Sequence, residues 1–123
     1  MRKQEAKRIL IVEDEFLVAM LLEDLLTEMG HQVIGTFAQV DEAMKFANQA
    51  DVNFAILDIN LAGATSFPVA EILRRRGIPF LFASGYGSTG LASPFENELT
   101  LQKPYEPAEL ERVIAEASAR VSD

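Results

Sequence analysis

Five polar residues could do chemistry together: the acidic pair Glu13-Asp14, the carboxylate Asp58, the hydroxyl of Ser84 and the ammonium of Lys103. Each follows a short stretch that reads as a strand. Carboxylates drawn together repel one another unless a cation balances them. Oxygen donors with no His or Cys among them suit Mg2+, which favours one or two carboxylates, waters and phosphate oxygens. A lysine and a small hydroxyl beside such a cluster leave room for a phosphoryl group as the remaining partner. Alone, each residue reads more simply, as a turn acid, an exposed lysine or a buried serine. It is their recurrence at successive strand ends that singles them out.

Placing them on one rim requires parallel strands, and the chain supplies the pattern. Residues 9–12 (Ile-Leu-Ile-Val) and 54–58 (Phe-Ala-Ile-Leu-Asp) are continuous apolar runs of the kind found in strands covered on both faces. Residues 32–37 read as a second strand, 79–83 as a fourth with Pro79 at its start, and 99–102 as a weak fifth. Between them, residues 15–29 carry Leu17, Met20, Leu21, Leu25 and Met29 at helical spacing, stopped by Gly30. Residues 41–49 predict a second helix with Ala43, Met44 and Ala47 inward. Residues 62–66 read as a loop. Residues 69–76 form a third helix, with Pro68 in its first turn and Gly77 at its end. Residues 106–121 close the chain with Leu110, Val113, Ile114 and Ala117 on one face.

Residues 85–97 are the exception. Three glycines, Pro94 and several hydroxyl residues oppose a long helix where alternation demands one. The fold class expected is therefore α/β, a doubly wound five-stranded parallel sheet with a weak or disordered fourth helix. In the flavodoxin-like strand order 2-1-3-4-5, the first and third strands meet at the switch point, and all five polar residues share one edge.

At 123 residues and 49% hydrophobic content the chain has room for one domain and no second. It has no cysteine, which excludes disulfides and thiolate metal sites. No apolar stretch reaches the roughly 20 residues of a membrane span, so a cytoplasmic protein without membrane attachment is expected. A net charge of -8 argues against a nucleic-acid partner. The one basic cluster, Arg74-Arg75-Arg76, reads as the solvated end of a helix. Residues 9–44 hold no Lys or Arg but eight acids, of which Glu13, Asp14 and Glu15 are not explained as helix faces.

Over essentially its full length the chain resembles the receiver domain of two-component response regulators. The residues that carry the resemblance are Glu13-Asp14, Asp58, Ser84 and Lys103-Pro104. The stretch from Pro79 through Phe82-Ala83-Ser84-Gly85-Tyr86, with Lys103-Pro104-Tyr105, further resembles a subgroup named for its Phe-Ala-Thr-Gly run. Ser84 stands for the Thr there and keeps the hydroxyl.

The resemblance implies one receiver domain over residues 1–123, with 1–7 flexible. It implies that Asp58 accepts a phosphoryl group in a phosphorelay and that Lys103 and Ser84 contact its oxygens. Mg2+ would be held by Asp14 and Asp58, by the Asn60 backbone carbonyl, and by Glu13 through water. It also implies a cis Lys103-Pro104 peptide. The implied partners are a sensor histidine kinase of the HWE or a related type, or a histidine phosphotransfer protein, and a downstream protein target. The domain would catalyse only its own phosphorylation and dephosphorylation.

Two departures stand out. Ala62 replaces the usual Pro, which predicts a looser loop. Thr100 replaces the usual Tyr or Phe whose ring moves inward on phosphorylation, leaving Tyr86 or residues 85–97 to carry the signal.

Two rival classes fit less well. A flavodoxin-like cofactor carrier would need the loop after the first strand to cradle a phosphate, which Glu13-Asp14-Glu15 would repel. A haloacid-dehalogenase-like phosphatase would need an acid two residues after its nucleophile, where Asn60 stands.

Overall fold

The computed structural model describes residues 6–61, 63–85, 95 and 97–122. Five strands form the main sheet: β1 (Arg8–Val12), β2 (Gln32–Phe37), β3 (Phe54–Asp58), β6 (Phe80–Ser84) and β7 (Thr100–Gln102). All neighbours are parallel, in the order β2-β1-β3-β6-β7. A two-stranded hairpin, β4 (Asn60–Leu61) and β5 (Ala64–Thr65), follows β3. The helices are α1 (Phe16–Glu28), α2 (Val40–Gln49), α3 (Phe67–Arg76) and α4 (Pro107–Ser122). Most of residues 85–97, expected to be the weakest part of the fold, lies outside the described residues, as does Tyr86.

The apolar strands are continuous runs because both faces are covered. Along β1, Leu10 and Val12 join one core layer with α2 and α3, while Ile9 and Ile11 join the other with α1 and α4. Strand β3 alternates in the same way: Ala55 and Leu57 face one layer, Phe54 and Ile56 the other. Gly77 ends α3 in the left-handed conformation at φ 72°, which glycine reaches without a Cβ penalty.

Three expectations are corrected. In α1 the buried residues are Ala19, Leu22 and Leu26, not the stripe that includes Leu17, Met20 and Leu21. Phe16, Leu17, Met20 and Leu21 are 74%, 76%, 44% and 47% exposed. Glu23, Asp24, Thr27 and Glu28 mark the polar face, and these four apolar residues lie on that same face; the apolar run at 16–22 masks it only in the first half of the helix.

The described part of the loop at 62–66 contains one arm of a hairpin, closed by the Ser66 N–H donating to the Ile59 carbonyl at 3.0 Å. Ala62 itself is outside the described residues. Gly63, at φ 93°, supplies the left-handed residue of the tight connection.

The arginine cluster is not simply solvated. Arg76 Nη1 donates to the carbonyls of Ala47 and Ala50 at 2.6 and 3.1 Å, closing the C-terminal end of α2. Arg74 pairs with Glu98 and lies over the Phe95 ring, 4.5 Å from its centroid.

Candidate functional site

Strand geometry brings the chemical residues to one edge. Asp58 is the last residue of β3 and Ser84 the last of β6, while Glu13-Asp14 and Lys103 directly follow β1 and β7. Loop contacts hold these ends in step. The Glu13 N–H donates to the Phe37 carbonyl at 2.9 Å, Ile59 N–H to Ala83 at 3.1 Å, and Lys103 N–H to Ser84 at 3.0 Å. The Lys103-Pro104 peptide is cis.

Carboxylate oxygens of Glu13, Asp14 and Asp58 lie within 4.8 Å of one another. The Glu13 side chain is 2% exposed, that of Asp58 12% and that of Lys103 17%. Lys103 Nζ is 2.8 Å from Glu13 Oε1, 3.5 Å from Asp58 Oδ1 and 3.8 Å from Glu15 Oε1. The other Glu13 oxygen accepts the Glu15 N–H at 3.1 Å. A cleft of about 550 Å³ opens over these groups, lined by Asp14, Glu15, Asp58, Asn60, Ser84, Gly85 and Lys103. All six residues singled out in the sequence thus converge: five line the cleft, and Glu13 lies buried beneath Lys103.

The electrostatics show an unbalanced anion cluster. Burial, then the neighbouring Glu13 charge, push the Asp58 carboxyl up to about 7, although Lys103 pulls the other way. For Lys103, burial would lower the ammonium's pKa, but Glu13 and Asp58 outweigh it and hold it above the ordinary value. A divalent cation would remove the repulsion that Asp58 feels. The donor set, three carboxylates with Asn60 beside them and no nitrogen or sulfur, fits Mg2+.

Two neighbours of the site stood out in the sequence but were given no role in it. Glu15 reaches Lys103 and lines the cleft; its only signal was being a third consecutive acid. Tyr105 is 8% exposed, and burial together with the Glu13 and Asp58 charges raises its hydroxyl pKa. Nothing in the Lys-Pro-Tyr run distinguished it from a core ring.

The fold is a flavodoxin-like parallel α/β sheet whose carboxyl edge gathers three acids, a hydroxyl and a lysine. Residues 9–115 match the family model described as the response regulator receiver domain, and the chain belongs to that family of two-component signal transduction proteins.

The phyllosphere-induced regulator PhyR of Methylorubrum extorquens is 37% identical over 116 residues, covering 91% of this chain and 43% of its own length. The solution structure of SdrG from Sphingomonas melonis Fr1 superposes with a TM-score of 0.76 at 38% identity and covers both chains fully. A BeF3-activated conformation of SdrG also matches, at 41% identity over 88% of this chain and 92% of that one, with a TM-score of 0.76. The anti-anti-sigma factor PhyR from Bartonella quintana aligns with a TM-score of 0.84 at 28% identity, over 98% of this chain and 50% of that one. The chain therefore spans about half the length, or less, of these two PhyR proteins.

Proposed function

We propose that Asp58 accepts a phosphoryl group from a phosphohistidine on a partner protein, with Mg2+ bound at Glu13, Asp14, Asp58 and Asn60. The observation that carries this reading is the position of Lys103 Nζ, between Glu13 and Asp58 at the floor of an acidic cleft. An Asp58 oxygen forms the new O–P bond as the P–N bond breaks and its electron pair returns to the donor imidazole. Lys103 meets the negative charge on the phosphoryl oxygens, and Ser84 donates to one of them. Phosphoryl transfer depends mainly on such alignment and charge neutralisation. Bound Mg2+ would supply the positive charge that lets acids and phosphoryl oxygens approach. The chain turns over only its own acyl phosphate.

The donor is read as a protein because the exposed quartet Phe16, Leu17, Met20 and Leu21 begins two residues after Asp14 and borders the rim. We assign this face to the helix of a histidine kinase, of the HWE type or a relative, or of a phosphotransfer protein. Seated there, the helix presents its histidine to Asp58. By likeness to the Bartonella quintana regulator, the downstream target is read as a protein. The net charge of -8 supports this over nucleic acid. Among the described residues no helix is long and apolar enough to cross a membrane, and a cytoplasmic location suits these partners.

Incubation with acetyl phosphate, with and without Mg2+, followed by intact mass measurement, tests the reading. One phosphoryl group is expected only with Mg2+, and none on Asp58→Asn. Equal labelling of that variant contradicts the assignment.

A further inference from the structure

Four aromatic rings meet behind the site, and Phe95 is the member that reaches outward. It is 1% exposed, stacks on Phe67 at 5.1 Å between centroids, and meets Phe82 and Phe80 edge-on at 5.8 and 6.4 Å. Phe67 is the first residue of α3, tied to Asp58 through the closed hairpin. Phe82 lies two residues before Ser84 on β6, so its side chain shares a sheet face with Ser84. Phe95 therefore touches two of the segments joined to the site, one leading from Asp58 and one leading into Ser84.

The outer side of the ring is equally engaged. The Arg74 guanidinium lies 4.5 Å from the ring centroid and also pairs with Glu98. The Phe95 carbonyl accepts the Glu98 N–H at 3.0 Å, and Arg120 Nη1 donates to the Asn97 carbonyl at 2.9 Å. Thr100, in register with Phe82 on β7, brings no ring of its own to this layer.

We propose that Phe95 is the transmitting ring of this domain, carrying a change at Asp58 and Ser84 to the surface formed by Arg74, Glu98 and Arg120. Phe95 packs directly on Phe67 and Phe82 and under the Arg74 guanidinium, so a shift of either ring bears on Phe95 and, through it, on the arginine. The inference rests on the phosphorylation reading above. A purely structural Phe95, filling the core and anchoring its segment, would affect stability without coupling the two ends.

The test is a titration of the isotope-labelled 123-residue chain with beryllofluoride and Mg2+, followed by NMR, on the unaltered protein and on Phe95→Leu. In the unaltered protein, amides of Asp58 and Ser84, the Phe95 ring signals, and amides of Arg74, Glu98 and Arg120 should shift with one midpoint. In Phe95→Leu, acetyl phosphate labelling and the Asp58 and Ser84 shifts should persist within about twofold. The shifts at Arg74, Glu98 and Arg120 should fall by about half or more. A full distant response in the variant overturns the proposal. If the variant does not fold, the ring signals of the unaltered protein decide: a Phe95 ring that stays unmoved while Asp58 responds also overturns it. Absence of any response at Asp58 overturns the functional reading, and this inference with it.

Discussion

Lys103 Nζ is nearer to Glu13 Oε1, at 2.8 Å, than to Asp58 Oδ1, at 3.5 Å. The ammonium is held mainly by the buried Glu13 carboxylate rather than by Asp58, the proposed acceptor. A phosphoryl group on Asp58 would compete for it with oxygens of higher charge. Glu13 therefore acts as the resting partner of the lysine.

The same pair governs the pH dependence. Asp58 is raised from 3.8 to about 7, by burial first and then by Glu13. Its folded pKa exceeds its unfolded one, so its contribution to stability is fully present below about pH 4 and lost as pH rises through about 7. The metal-free protein should gain less stability than Asp58→Asn on going from pH 5 to pH 8. Because Mg2+ competes with the proton, its apparent affinity should weaken up to about tenfold per pH unit below 7. Titration calorimetry at pH 6 and pH 8 checks this; equal affinities would contradict it.

His31 contributes with the opposite sign. Its ring is 4% exposed and its Nδ1 accepts the Lys7 N–H at 3.0 Å, so the proton of the neutral ring sits on Nε2. Burial, then the Lys7 charge, lower its pKa from 6.5, against a raising influence from Glu111. Stability from the neutral ring is present above about pH 6.5 and lost on acidification. In an Asp58→Asn background, which removes the opposing acid, thermal melts should be lower at pH 5.5 than at 7.5. His31→Gln should remove most of that difference, and an unchanged difference would count against the assignment.

Gly35 marks the tightest approach on β2. A Cβ there would sit 2.9 Å from the Phe37 ring and 3.0 Å from that of Phe46, and those rings pack against each other at 4.8 Å. Gly35→Ala should cost about 1–3 kcal/mol, the usual range for overpacking. Urea unfolding with an unchanged midpoint would show that the rings give way freely.

The α1 surface separates protein donors from small ones. Leu17→Asp changes an exposed residue, so stability should stay within about 0.5 kcal/mol. Transfer from a phosphorylated kinase or phosphotransfer protein should fall about tenfold or more, while labelling by acetyl phosphate should not change. Equal loss with both donors would move the effect into the site itself.

Much of this was legible because strand ends and chemical residues coincide in the chain: Asp58 closes an apolar run, and Lys103 follows the weaker alternating stretch at 99–102. The second strand matched at both ends, residues 32–37. The phase of α1 was legible but misread: Glu23, Asp24, Thr27 and Glu28 define a polar face opposite Ala19, Leu22 and Leu26, and the unbroken apolar run at 16–22 outweighed that signal. What was not legible lacked a local signal. The partners of Arg74 and Arg76 lie on distant segments, at Glu98 and at the end of α2, so neither could be read from three consecutive basic residues. Phe95 was submerged in a stretch whose glycines and proline dominated its reading.

The most direct measurement is identification of the labelled residue. After exposure to acetyl phosphate and Mg2+, borohydride reduction converts an aspartyl phosphate to homoserine, which peptide mass spectrometry locates in the chain. Homoserine at position 58, and loss of the signal when Mg2+ is withheld, is the result expected. Homoserine at Asp14 or any other acid, or none after prolonged incubation, would contradict the assignment of Asp58 as the phosphoacceptor.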